Sequence, residues 1–473
     1  MKKQLFINGE WLDTKEYTPL FSPFSEELIA QIPIASQEAV DAAIEAANRA
    51  KVEWANTPAH ERATILEKLS KLLEEKFEES AKIISLEASK PIEQAKTEVA
   101  RTIQTFKFAA EEAKRIYGET IPLDAAPGGE RRVAYTVREP IGIIGAITPF
   151  NFPLNLVVHK VGPAIAAGNT IVLKPATQTP LSSLFLAELT QEAGLPPGVL
   201  NVVTGRGSVI GDKLVTDERI SMITFTGSPS VGIGIRNKAG LKKVTLELGS
   251  NAAVIIDQGT DIDKIVSRCI TGAYSNQGQV CISLQRIYVH EGLYEEFVTK
   301  FVEASNNLKI GDPLDRETDI SALISKNDVE RALSWIEESK SEGAIVAAGG
   351  ESEGNILRPT VILEANPQMK VSCQEVFAPI VLINKVSSVA DAIDFVNDSR
   401  FGLQAGIYTK DVDVALESVD KLHVGGVLIN DIPSFRVDHM PYGGVKESGT
   451  GREGLKYAIE EMTEMKLVIW NRN

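Results

Sequence analysis

The chain has 473 residues, 43% of them hydrophobic, and a formal net charge of −15. That length supports two or three buried cores, and an acidic chain without a Lys/Arg-rich run excludes a nucleic-acid partner, because phosphates are held by basic side chains. Cys269, Cys281 and Cys373 are too few and too widely spaced for a disulfide framework or a zinc cluster; with no leader-like apolar stretch and no run of about 18 apolar residues, the expectation is a soluble, cytoplasmic protein without metal or membrane contact.

Roughly the first 120 residues read as mostly helical by their 3.6-residue period, a covering layer. Ser36 is placed to cap a helix carrying Val40, Ile44 and Ala47 on one face, and the same period runs from Arg62 to Ile84. A turn, "DAAPGGE" (124–130), precedes a strand-like segment, "RRVAYTVREP" (131–140). From Pro140 apolar runs alternate with helical stretches: "IGIIGAITP", a helix from near Phe152, "NTIVLKP", a helix from about Pro180, "VLNVVTG", "SMITFTG" and "KKVTLELG". Such β-branched runs between amphipathic helices mark a parallel sheet buried on both faces, the doubly wound nucleotide-binding layout. A second alternating series, through "RIYVHEGLYEEFVTKFVEA", "PTVILEA", "APIVLINKV" and "GGVLIND", implies a second α/β domain. The segments 131–140 and 465–471 alternate like strands outside both series, and exposed strand edges invite pairing, so they are expected to meet a neighbouring subunit.

Five motifs carry chemistry. "VVTGRGSVIG" offers Gly205, Gly207 and Gly211 between a strand and a helix, where backbone N–H groups and the helix dipole suit a pyrophosphate, although the spacing is one residue longer than the usual dinucleotide fingerprint. "FTGS" repeats the arrangement one strand later with Gly227 and Ser228. In "TPFNFPLNLVVHK", Asn151 lies between two prolines, and a following helix sets Asn151, Asn155 and His159 on one stripe, a polar pocket wall. "VTLELGS" puts Glu247 at the end of an apolar strand, where burial raises a carboxylate toward the range of a general base. "GQVCIS" presents Cys281. Taken singly, each also has an ordinary reading: βα loops, a wet helix face, an exposed strand edge, a small buried thiol.

Taken together, "TPFNFP", "KPATQTP", "FTGS", "LELG", "GQVC", "EVFAP" and "PYGGVKESGTGREG", in this order, resemble the NAD(P)-dependent aldehyde dehydrogenase superfamily, in its hydrolytic, non-acylating branch, over essentially the whole chain. The resemblance implies an α/β protein with a Rossmann-like doubly wound cofactor domain (1–117 and 141–247), a second α/β catalytic domain (248–458) and a small β oligomerisation arm (118–140 and 459–473), assembling as a homodimer or homotetramer. It implies Cys281 as nucleophile, Asn151 and the Cys281 N–H as oxyanion donors, Glu247 as the base that activates water, and Lys160 as an organising lysine. Cofactor positions would be Thr148, Pro149, Lys174, Thr177, Gly207, Gly211, Gly227, Ser228, Leu248, Glu375 and Phe377, with Ala378 replacing a more usual glycine.

At Thr177 many NAD-preferring members carry a glutamate that repels a 2′-phosphate; a threonine repels nothing, so the expected cofactor is NADP or NAD, with NADP accepted. Asn155, His159, Arg436, His439, Tyr442, Arg101 and Arg286 are the substrate candidates. They suit a short hydroxylated or anionic aldehyde: lactaldehyde, glyceraldehyde or its phosphate, succinate semialdehyde, or a phosphono- or sulfo-aldehyde. Competing readings are a CoA-acylating dehydrogenase and a cysteine hydrolase using His159 or His290 as base. A purely structural role is a third.

Overall fold

The computed structural model describes residues 1–472. Its largest sheet has eight strands in the spatial order Glu10–Leu12, Leu5–Ile7, Leu200–Val202, Thr170–Lys174, Ile143–Ile147, Ile220–Thr226, Lys243–Glu247 and Gly449–Thr450. The five strands from Leu200–Val202 to Lys243–Glu247 are parallel. Their apolar, β-branched residues face helices on both sides, and Ile144, Ile171, Leu173 and Val202 join the core beneath helices Ala59–Glu75, Ile92–Ala113 and Asn155–Ala167. From Ile143–Ile147 the chain winds outward one way through Thr170–Lys174, then restarts on the other side at Ile220–Thr226. The order reverses between those two neighbours. Ligands of open α/β sheets bind beyond the carboxyl ends of the strands at such a reversal.

A second sheet has seven strands, ordered Ile345–Ala348, Thr360–Leu363, Ile380–Val386, Arg286–His290, Ala253–Ile256, Gln404–Tyr408 and Gly426–Ile429, all parallel but the first. Strands Arg132–Pro140 and Thr463–Asn471 pair with each other, antiparallel over their whole length, leaving Met465, Leu467, Ile469 and Trp470 at least half exposed on the outer strand.

The N-terminal segment departs from expectation. Residues 5–34 form two hairpins before any helix begins. The first turns at Asn8 and Gly9, both at positive φ (55° and 77°), the backbone of a tight turn whose twist matches paired strands. Beyond it the helical reading holds: Ser36 caps Gln37–Ala55 by accepting from the Ala39 N–H, and Val40, Ile44 and Ala47 are buried. The period from Arg62 to Ile84 is broken at Lys76 into two helices, Ala59–Glu75 and Phe77–Ala88.

Candidate active site

The loops at the carboxyl edge of the large sheet bring together residues far apart in sequence. Thr148 and Pro149 follow Ile143–Ile147, Lys174 ends the next strand, Gly207–Gly211 forms a wide helical turn after Leu200–Val202, and Gly227 and Ser228 lead into helix Pro229–Lys238. The Lys174 ammonium reaches the Gly207 turn, 3.9 Å from where a Cβ on that glycine would stand. It is buried, and among the described residues it has no ion-pair partner; burial alone brings it down to about 8. The Thr148 hydroxyl is likewise buried without a partner. A lone buried cation and an orphaned hydroxyl beside glycine turns are what an anionic nucleotide would satisfy. Thr177 is exposed, and its hydroxyl donates to the Gln178 side chain at 3.3 Å.

Leu248 is buried against Gly232, closing the floor beneath helix Pro229–Lys238. Glu375 accepts from the Ser250 N–H at 3.0 Å, and burial pushes its carboxyl up to about 7. Phe377 stands edge-on to Phe150, ring centroids 5.7 Å apart. The left-handed conformation in this turn falls on Phe377 (φ 51°) and not on Ala378, which explains why alanine is tolerated there.

Cys281 follows helix Ile262–Tyr274 after three consecutive left-handed residues, Asn276, Gln277 and Gly278. A Cβ on Gly278 would sit 2.2 Å from the Ala378 carbonyl, so only glycine lets the loop pass. The loop is tied to Asn151, whose Nδ2 donates to the Gln279 carbonyl at 2.9 Å. Asn151 precedes helix Asn155–Ala167, which starts three residues later than the sequence reading placed it. The Asn151 carbonyl accepts from Lys90 Nζ (2.7 Å) and Asn276 Nδ2 (3.2 Å). Lys90 pairs with Glu98, both fully buried, and Glu98 caps the same helix by accepting from the N–H groups of Leu154 and Asn155.

Cys281 opens on a cavity of about 400 Å³ lined by Lys90, Glu98, Arg101, Asn155, Arg268, Arg436 and Tyr442 among others, within the size range of small-molecule sites. Its sulfur lies 3.0 Å from the Tyr442 hydroxyl. Burial pushes the thiol up to about 11, with Tyr442 and Arg436 working against that rise. Glu247, at its strand end, is 3% exposed, and among the described residues neither carboxylate oxygen has a hydrogen-bond partner. Burial first, and then the neighbouring Glu453, hold Glu247 well above the usual carboxylate range. Burial would raise Glu453 too, but Lys160 (2.9 Å) and Arg436 (2.9 Å) hold it well below. Of two adjacent acids one is therefore ionised and the other keeps its proton, as like charges in low dielectric require. Lys160 also donates to the Thr226 hydroxyl at 2.8 Å.

The substrate candidates separate. Arg101, Asn155, Arg436 and Tyr442 line the cavity. Each guanidinium already has an acid: Arg101 with Asp438 (2.7 Å), Arg436 with Glu453, and Arg268, which the sequence reading passed over, with Asp431 (2.7 Å). Asn155 and His159 do share a helix face, but both turn to Asp438, at 3.1 and 2.8 Å. Burial, and then the Arg436 charge, lower the His159 imidazole; because the ionised Asp438 can only accept, the His159 Nε2–H donates to it, and the ring lies behind the cavity wall. Three assignments need correction. His159 does not reach the cavity; His439 is exposed and packs on Phe108 (centroids 4.7 Å apart); and Arg286 is buried, its donors spent on the carbonyls of Asn251 and Phe395. Among the described residues no histidine hydrogen-bonds Cys281, which leaves the hydrolase reading without its base, and no cluster of three potential metal ligands occurs.

Asp438, Glu453, Glu98 and Lys90 were missed because each looks like an ordinary surface charge in sequence. Glu453 alone had a signal, a carboxylate inside the glycine-rich segment "GTGREG".

A thiol opening on a small-molecule-sized cavity, a carboxyl that has kept its proton, and a sheet edge suited to a nucleotide fit an oxidoreductase that works through a covalent cysteine adduct. The chain belongs to the aldehyde dehydrogenase family, whose model matches residues 11–468. The 3-sulfolactaldehyde dehydrogenase of Priestia megaterium is 47% identical over 468 residues, spanning 99% of this chain and 98% of that protein. The lactaldehyde dehydrogenase of Methanococcus aeolicus is 43% identical over 471 residues, 99% of this chain and 100% of that protein. Among solved structures, aldehyde dehydrogenase 21 of Physcomitrella patens, in complex with the reaction product succinate, superposes with a TM-score of 0.97 at 39% identity, covering 100% of this chain and 98% of that one. The glyceraldehyde-3-phosphate dehydrogenase GapN of Methanocaldococcus jannaschii, complexed with NADP, gives 0.93 at 41% identity, covering 97% and 100%.

Proposed function

We propose that this aldehyde dehydrogenase oxidises a short, hydroxylated aldehyde carrying an anionic group at its far end, of the sulfolactaldehyde kind, to the free carboxylic acid, with NADP⁺ or NAD⁺ as oxidant. The observation that carries the anionic end is Arg436, whose guanidinium stands in the wall of the cavity that Cys281 opens on. The names of the sulfolactaldehyde and lactaldehyde relatives and the NADP complex of GapN support the same reading.

In this reading residues 1–117 and 141–247 hold the cofactor, with Lys174 beside the adenosine ribose and its phosphate, and residues 248–458 carry the nucleophile. The Cys281 thiolate attacks the aldehyde carbon while Asn151 Nδ2 and the Cys281 N–H receive the oxyanion, electrostatic stabilisation of charge that exists only as the bond forms. When bound, NAD(P)⁺ provides the hydride acceptor that lets the adduct become a thioester. Glu247, once ionised, takes a proton from the water that hydrolyses it. Lys160 and Arg436, by fixing the charge on Glu453, set how readily Glu247 ionises. A carboxyl in this place favours water over CoA as acyl acceptor. The strand edge bearing Met465, Leu467, Ile469 and Trp470, part of the arm at 118–140 and 459–473, supports a homodimer or homotetramer. Three unpaired cysteines fit a cytoplasmic enzyme, and among the described residues no helix is long and apolar enough to cross a membrane.

The test is absorbance at 340 nm with sulfolactaldehyde, lactaldehyde, succinate semialdehyde and glyceraldehyde 3-phosphate, each with NAD⁺ and NADP⁺, for wild type, Cys281→Ala and Arg436→Ala. The expected result is no turnover by Cys281→Ala, and a loss of kcat/KM in Arg436→Ala that is larger for anionic aldehydes than for lactaldehyde. Equal losses across the panel would remove the anion-binding role, and an acyl-CoA product in the presence of CoA would replace hydrolysis by acylation.

A further inference from the structure

Tyr442 is held on three sides. Its backbone exchanges hydrogen bonds with Glu453, N to O at 3.0 Å and O to N at 2.7 Å. The Arg436 guanidinium lies 3.7 Å from its ring centroid, and the residue is 3% exposed. Its hydroxyl has one hydrogen-bond partner among the described residues, Cys281 Sγ at 3.0 Å. A phenol fixed this firmly, with its polar atom spent on a sulfur, does more than fill the tunnel wall.

We propose that Tyr442 is a catalytic residue: it donates its phenolic hydrogen bond to the Cys281 thiolate, and the Arg436 cation on the ring face strengthens that donor. The inference rests on the reading of Cys281 as nucleophile. A hydrogen bond to the charged form of a group favours that form, and bonds to charged acceptors are the stronger class, worth about a factor of ten or more. The site needs such help. Burial disfavours the thiolate, Glu247 and Glu375 oppose it when ionised, and among the described residues no imidazole or ammonium hydrogen-bonds the sulfur, so Tyr442 and Arg436 are the groups that favour it.

The same bond serves both halves of the reaction. In the first, the S–H bond breaks and its proton leaves to solvent, the sulfur lone pair forms the C–S bond as the carbonyl electrons move to oxygen, and with NAD(P)⁺ bound the carbonyl re-forms as the hydride departs to it, leaving the thioester. In the second, water adds to the thioester and loses a proton to Glu247, the C–S bond breaks, and its electron pair returns to a sulfur facing the same donor. A thiolate with a lower pKa leaves faster, and its intrinsic nucleophilicity falls only fractionally.

The experiment is the pH dependence of alkylation by iodoacetamide for full-length wild type and Tyr442→Phe, with the modified peptide mapped by mass spectrometry to separate Cys281 from the partly exposed Cys373. Phenylalanine keeps the ring under Arg436 and removes only the hydroxyl. Alkylation of Cys281 at pH 8, well below its midpoint, is expected to be about tenfold slower in Tyr442→Phe, the equivalent of a midpoint raised by about one pH unit. The kcat/KM profile should follow. Superimposable profiles with Cys281 labelled in both proteins would overturn the role of Tyr442 and leave the nucleophile assignment standing. Dehydrogenase activity surviving complete alkylation of Cys281 would overturn both.

Discussion

Replacing Lys90 by methionine tests how Asn151, the proposed oxyanion donor, is held. The ammonium is 1% exposed, pairs with Glu98 at 0% exposure, and donates to the Asn151 carbonyl. Removing one member of a buried ion pair costs about 3–5 kcal/mol, because the remaining charge is left in low dielectric. Glu98 would keep the N–H groups of Leu154 and Asn155 at 3.0 and 3.1 Å, which places the loss near the lower end, about 3 kcal/mol. The double variant Lys90→Met/Glu98→Gln removes the stranded charge and should recover about 1 kcal/mol or more of it. Catalysis suffers separately: complete loss of an oxyanion donor costs a factor of about 100–1,000 in kcat, and loosening Asn151 on one of its two carbonyl anchors should cost roughly tenfold in kcat with little change in KM. Urea denaturation of wild type, both single variants and the double variant, alongside steady-state kinetics, reads both effects. The reasoning is refuted if Lys90→Met is as stable as wild type, or if the double variant is no more stable than Lys90→Met.

Thr177→Glu should lower kcat/KM for NADP⁺ by about tenfold or more through repulsion of the 2′-phosphate and leave NAD⁺ nearly unaffected; parallel kinetics with the two cofactors decide it. Because burial brings Lys174 down to about 8, its charge is lost above that pH, and KM for NADP⁺ should climb there more steeply than KM for NAD⁺. Glu247→Gln should form NAD(P)H in a single burst and trap an acyl group on Cys281, visible as a mass increment after acid quench; steady turnover with no acyl adduct would exclude Glu247 as the water-activating base. Burial raises the Glu87 carboxyl to about 8, far above the usual carboxylate range. The native state therefore holds a proton that the unfolded chain has released, so stability is fully present below about pH 4.5 and drains away as pH rises toward 8. Urea midpoints at pH 5 and 8.5 should differ less in Glu87→Gln than in wild type.

The doubly wound sheet was legible because parallel strands buried on both faces are continuous apolar runs, and "IGIIGAI", "TIVLK" and "ISMITFT" became adjacent strands. Glu247 was legible for the same reason, a lone carboxylate interrupting such a run. The N-terminal hairpins were overlooked although Asn8–Gly9 is a strong turn signal; strands of three residues are too short for their alternation to stand out against the helices that follow. The substrate side was the least legible. Arg101 finds Asp438 and Arg436 finds Glu453 only after the chain has folded, so nothing near any of these residues reveals that the charges are matched, or that His159 and Arg286 are already engaged.

The strand that ends at Glu247 takes its outer neighbour from Gly449–Thr450, near the other end of the chain. A growing polypeptide on the ribosome therefore emerges with every parallel strand of the large sheet made, yet with the edge beside Glu247, the proposed general base, open until the segment carrying Gly449 has been synthesised. The Tyr442 hydroxyl and the Glu453 carboxylate arrive in the same late segment. Termination between Glu247 and Gly449 should yield a product that collapses around one well-formed sheet but exposes an unpaired, aggregation-prone border, a substrate for chaperones and proteases with no residual chemistry to report its presence.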